Sequence, residues 1–143
     1  IGNGTRCKLI HNAVNAIAVQ AVSEGITLGL AQGIPLETIW DTLRFGAFGQ
    51  NAGDIHGLPY YWFSRRCDRL SQDPAFTVKL LYKDLQLALR LALQQDIELP
   101  HINLTIKDYE EALERGWENY ATTKVRCLQE ERAQDEAKLF LSD

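Results

Sequence analysis

The apolar positions of this chain return every three to four residues along most of its length, and no Val/Ile/Thr-rich alternating run is long enough for a sheet. A first helix is predicted from about Thr5 to Gln32. Its apolar positions Val14, Ile17, Ala18, Ala21, Val22 and Leu28 recur at helical spacing, and Gly33 followed by Pro35 closes it. At about 1.5 Å per residue this helix is about 40 Å long, more than one small core needs, so it is expected to bridge two bodies. Pro35 suits the first turn of a short second helix reaching Arg44, with Leu36, Ile39, Trp40 and Leu43 inward.

The stretch "FGAFGQNAGDIHGLP" then reads as a long irregular connection, either a plain surface crossing or a functional loop. "FTVKLLYKDLQLALRLALQQ" is apolar nearly all round, from Leu80 and Leu81 to Leu91 and Leu93. Such a helix belongs at the centre of a bundle. Another helix follows Pro100, carries Ile102, Ile106, Tyr109, Ala112 and Leu113, and stops at Gly116. From about Ala121 the tail is helical and charged ("QEERAQDEAK"), with "LFL" near its end, and is expected to form a solvated outer face. The fold class is all-α: a helical bundle with a long N-terminal interdomain helix and a central apolar helix.

Composition narrows the function. With 143 residues, 45% of them apolar and 24% charged, the chain is expected to be one globular domain. A net charge of −4 argues against a nucleic-acid groove. No apolar run reaches the roughly 18 residues of a membrane span, so no membrane partner is expected. Cys7, Cys67 and Cys127 are widely spaced and show no CxxC pairing, which suggests buried, reduced thiols in a cytoplasmic protein. His11, His56 and His101 are scattered, so no metal site is expected. The chain contains no Met, so it reads as a piece of a longer polypeptide.

The opening "IGNGTRCKLIHN" poses a choice. Its two glycines suggest a dinucleotide loop, but that loop needs a third glycine where Cys7 stands and a βαβ unit that the helical pattern does not offer. The residues that follow are more informative. At about 100° per residue, Lys8, His11, Asn12 and Asn15 share an arc of roughly 100°, and the same stripe becomes apolar at Val19, Val22 and Ile26. On pattern alone this suits a solvated helix start as well as a site. In the second case Lys8 exchanges a proton and Asn12, one turn on, holds the same substrate, since lysine can do general acid–base work when its surroundings favour the neutral form.

Here the sequence resembles a family. "GNGTRCKLIHN" is similar to the G-x-G-x-x-x-K-x-x-N-N motif that opens the C-terminal domain of β-hydroxyacid dehydrogenases, the group of 3-hydroxyisobutyrate dehydrogenase and, more distantly, 6-phosphogluconate dehydrogenase. "SEGITLGLAQGIP", "FTVKLLYKDLQLAL" and the Tyr109–Ala112–Gly116 spacing resemble its later motifs in the same order. The resemblance implies a C-terminal all-α domain like that of 6-phosphogluconate dehydrogenase, with a nucleotide-binding domain lying elsewhere in the full protein. It further implies NAD or NADP as cofactor, bound mainly by that other domain, and a small β-hydroxy acid as substrate. Lys8 takes the place of the catalytic lysine and Asn12 that of the substrate-orienting asparagine. His11 replaces the commoner asparagine as a substrate contact, and Lys83 matches a lysine against the cofactor. A homodimer or homotetramer is implied, and this domain alone is expected to be inactive. The alternative is a non-catalytic all-α oligomerisation or binding module that kept the scaffold.

Overall fold

The computed structural model describes residues 2–46, 48, 49, 70 and 74–133. Among the described residues the helices with both ends defined are, in chain order, α1 (Asn3–Ala31), α2 (Leu36–Phe45), α3 (Val78–Leu93), α4 (Pro100–Glu114) and α5 (Arg126–Arg132), with a 3-10 turn at Thr122–Val125 before α5. Among the described residues there is no strand, only an isolated antiparallel bridge between Thr77 and Ala121. The all-α expectation holds.

Local chemistry sets the helix ends. Gly33, at φ +77°, takes the left-handed conformation that ends α1, and Gly116 does the same after α4 at φ +75°. Thr77 caps α3, its Oγ1 accepting from the Leu80 N–H at 3.3 Å. Pro100 occupies the first turn of α4, where its missing N–H costs no hydrogen bond. The start of α3 is also tied to the chain after α4, because Val78 N donates to Tyr120 O at 3.0 Å and Lys79 N to Glu118 O at 3.1 Å.

Two hydrophobic clusters hold the helices. In the larger, Ala13 and Ala16 of α1 meet Leu81 and Leu85 of α3, Ile106 and Tyr109 of α4, and Val125 and Leu128 of the C-terminal segment. In the smaller, Val19, Val22 and Ile26 of α1 meet Leu36 and Ile39 of α2. Among the described residues α1 contributes to both clusters along its length. Gly29 lets α2 come close, since a Cβ there would stand 2.6 Å from Ile39 Cδ1.

α3 lies between α1 and α4, as its leucines suggest, but it is buried on one side only. Leu85 is fully buried, whereas Leu93 is 76% exposed. The C-terminal segment departs further from expectation. Thr123, Val125, Arg126, Cys127, Leu128 and Glu130 are all buried, so this part of the tail is core and not a solvated face. Of the charged run itself, Glu130 is buried and pairs with Arg126 one turn away, Glu131 and Arg132 are exposed, and residues 134–138 lie outside the described residues. The thiol expectation is corrected too: Cys127 is disulfide-bonded and Cys7 is free and exposed. Spacing alone carries no information on such pairing. By length and composition α1 could cross a membrane, with a mean hydropathy of 1.3 over its best window, although no unbroken apolar run shows it. In the structure it is a core helix, hydrogen-bonded to α3 through Asn12 and to α4 through Gln20. The glycine-rich connection from residue 50 on, Cys67, "PYYWF" and the terminal "LFL" lie outside the described residues.

Candidate active site

α1 packs against α3, and its first turns lie against the middle and end of α3. This brings the polar start of α1 to Asp84, the single acidic residue of α3. Asp84 is only 3% exposed, and a carboxylate that deep must be paired and hydrogen-bonded to stay ionised. Three side chains meet the requirement. Asn12 Nδ2 donates to Asp84 Oδ2 at 2.8 Å. Lys8 Nζ lies 3.6 Å from the same oxygen, and Lys83 Nζ lies 3.6 Å from Oδ1. An ionised carboxylate only accepts, so the Asn12 amide is fixed with its nitrogen toward Asp84. Its carbonyl oxygen and second N–H remain for another partner.

The two lysines differ from the carboxylate they share. Their side chains are about 60% exposed, against 4% for Asp84. At 3.6 Å they are ion pairs, too long for good hydrogen bonds, so neither ammonium is locked in place. Lys8 Nζ also stands 5.9 Å from the centre of the Phe76 ring, within reach of a cation–π attraction that limits where it can swing. Two cations on one anion leave the site a positive charge, open to solvent and suited to an anionic ligand.

The sequence-derived residues therefore divide. Lys8, Asn12 and Lys83 come together from two helices. His11 is exposed beside them, and among the described residues it has no hydrogen-bond or ion-pair partner. Asp84, the centre of the cluster, was not singled out as a site residue. Its signal was present: one acid among leucines on a buried helix implies cationic partners, and the Lys–Asn stripe of α1 could supply one. Phe76 was likewise read only as part of a motif. Among the described residues, no three His, Cys, Asp or Glu side chains converge as metal ligands.

Fold and site together define a helical domain with a lysine-bearing polar centre between α1 and α3. Residues 2–126 match the family described as NAD-binding of NADP-dependent 3-hydroxyisobutyrate dehydrogenase, and the chain belongs to that family of dehydrogenases. It is 31% identical over 100 residues to glyoxylate/succinic semialdehyde reductase 1 of Arabidopsis thaliana, a match covering 70% of this chain and 32% of that protein. The crystal structure of 3-hydroxyisobutyrate dehydrogenase from Salmonella typhimurium shares the fold, with a TM-score of 0.61 at 20% identity over 85% of this chain and 40% of that one. The chain thus spans about a third of the length of its curated relative.

Proposed function

We infer that this chain is the lysine-bearing helical domain of an NAD(P)-dependent oxidoreductase that interconverts a small β-hydroxy acid and its carbonyl form. The observation that carries the reading is the convergence of Lys8, Asn12 and Lys83 on one buried carboxylate. The chemistry a bound nicotinamide supplies is hydride transfer at the carbon bearing the hydroxyl. The residues present fit such a group, because Lys83 offers an exposed ammonium beside the cluster that can meet an anionic or polar part of the cofactor.

Lys8 serves the oxygen. In oxidation it takes the hydroxyl proton, and in reduction it returns a proton to the forming alkoxide; its positive charge stabilises the oxygen as charge builds there. Asn12 has an N–H and a carbonyl oxygen free to hold the hydroxyl relative to Lys8. Asp84 positions both groups without needing to touch the substrate. The excess positive charge favours the carboxylate of the hydroxy acid. His11 stands one helical turn from Lys8 on the exposed side, where it can add a substrate contact.

The test is Lys8→Ala in the complete enzyme. The expected result is a fall in kcat of about 10²–10⁴, the usual loss of a general acid–base group, with cofactor affinity nearly intact. Retention of more than about a tenth of kcat, a loss under roughly 1.4 kcal/mol, would remove Lys8 from proton transfer and favour a non-catalytic module.

A further inference from the structure

A groove of about 510 Å³ opens between the first turns of α1, the end of α3 and the start of α4. It faces away from the polar site. At about 100° per residue, Arg6, Leu9, Ile10 and Ala13 share an arc of roughly 100°, whose middle lies about 130° round α1 from Lys8 and Asn12. Leu91 of α3 and Leu99 and Ile102 at the start of α4 complete the wall, which is apolar over most of its extent. Among the described residues that line it, the polar ones are Arg6, Gln94 and Gln95, and Arg6 alone is charged. These three belong together by position, on the first turns of α1 and just past the end of α3. The groove is therefore polar at one end and hydrocarbon beyond it. Arg6 is exposed, and among the described residues its guanidinium has no hydrogen-bond or ion-pair partner. The first turn of α1 carries no acidic residue that could neutralise it.

We propose that this groove is a binding site for a free medium-chain fatty acid, its carboxylate at Arg6 and its chain running along α1 toward Val14. One cation in the wall calls for one negative charge, and a guanidinium fork matches the two oxygens of a carboxylate. A phosphate dianion would leave half its charge unanswered in an apolar surround. The rest of the wall offers hydrocarbon and no further charge, which suits a plain alkyl chain. From Arg6 to Val14 the helix rises about 12 Å, the length of an extended medium chain. The volume falls within the roughly 300–1,000 Å³ usual for small-molecule sites. Leu9 and Ala13, in the floor of the groove, adjoin Lys8 and Asn12 in sequence but turn to this other side. The fatty acid and the hydroxy acid thus occupy separate places on one helix.

Isothermal titration calorimetry of the complete enzyme with sodium hexanoate, octanoate and decanoate, each below its micellar concentration, tests this. Binding is expected to saturate at one ligand per chain and to tighten about threefold for each added methylene. Arg6→Gln should weaken decanoate at least about tenfold and leave decanol unchanged, whereas Arg6→Lys, which keeps the charge, should cost only about threefold. Ile10→Asp, at a position 63% exposed, should keep the helical circular-dichroism spectrum and weaken decanoate at least about tenfold by setting a like charge in the groove. Lys8→Ala should leave decanoate binding as it is. Titrations without a saturable site overturn the proposal and mean that the groove is covered in the assembled enzyme. So does affinity indifferent to chain length or to Arg6→Gln. Loss of decanoate binding in Lys8→Ala would place the ligand at the Asp84 cluster and overturn it as well.

Discussion

Asp84 meets two ammonium groups at 3.6 Å each, whereas Arg132 reaches Asp108 and Glu111 at 2.7 Å each. Both clusters join helices, but their balance of charge is opposite. Around Asp84 one buried anion serves two exposed cations. On the outer side of α4, two arginines serve three acids: Arg132 bonds Asp108 and Glu111, and Arg115 bonds Glu111 and Glu131. Gln20 of α1 adds a hydrogen bond to Asp108 at 2.6 Å. In this second cluster the charged states are held. The hydrogen bond from Arg132 pulls Glu111 below the ordinary carboxylate range; burial opposes it, and the bond from Arg115 adds to the lowering. The bond to Glu131 raises Arg115, and the bond to Asp108 raises Arg132. A saturated cluster fastens α5 to the bundle. The cluster at Asp84 keeps looser, exposed lysines and a surplus of positive charge.

The largest expected difference between them is functional. Lys8→Ala should remove a factor of about 10²–10⁴ in kcat while leaving thermal stability within about 2 °C, because its side chain is 60% exposed. Activity assays beside differential scanning calorimetry check both halves. Next comes Asp84→Ala, which leaves the Asn12 amide and both lysines without their shared acceptor. It should cost about 1–3 kcal/mol in urea unfolding, the penalty of unsatisfied buried polar groups, and turnover as well. Arg132→Ala is expected to cost at most about 1 kcal/mol in the same measurement and to leave kcat unchanged, since exposed ion pairs contribute little.

The smallest effect is in acid. Glu111 has its folded pKa below its unfolded one, so its contribution to stability is present above the ordinary glutamate value of 4.5 and fades as pH falls through the lower folded value. Unfolding curves at pH 5 and at about pH 3 should therefore differ more for the wild type than for Glu111→Gln. Equal differences would mean that the Arg132 and Arg115 contacts do not hold the charged carboxylate.

Much of this was legible from periodicity. α1 was expected from Thr5 to Gln32 and is found at Asn3–Ala31; Pro100 and Gly116 bound α4 as their backbone preferences require. Lys8, Asn12 and Lys83 were legible as site candidates, two of them from a polar arc and one from a motif. What failed did so for physical reasons. A helix with apolar residues on two opposite sides does not announce which face is core: Val14 and Leu28 fit the helical apolar spacing yet are exposed. A charged string need not be solvated, because Arg126 and Glu130 neutralise each other inside the bundle; burial even pulls the Arg126 guanidinium down to about 10. Asp84 belongs to α3 by sequence but meets Lys8 and Asn12 of α1, and only packing brings the two together.

That dependence is measurable in a double-mutant cycle on kcat/KM, combining Lys8→Ala with Asp84→Asn, which keeps the side-chain shape and removes the charge. If Asp84 acts by positioning Lys8 and Asn12, Asp84→Asn should cost at least about tenfold in the wild type and less than about threefold once Lys8 is gone. Losses that simply multiply would show that the carboxylate and the lysine work apart, and the site built around Asp84 would not stand.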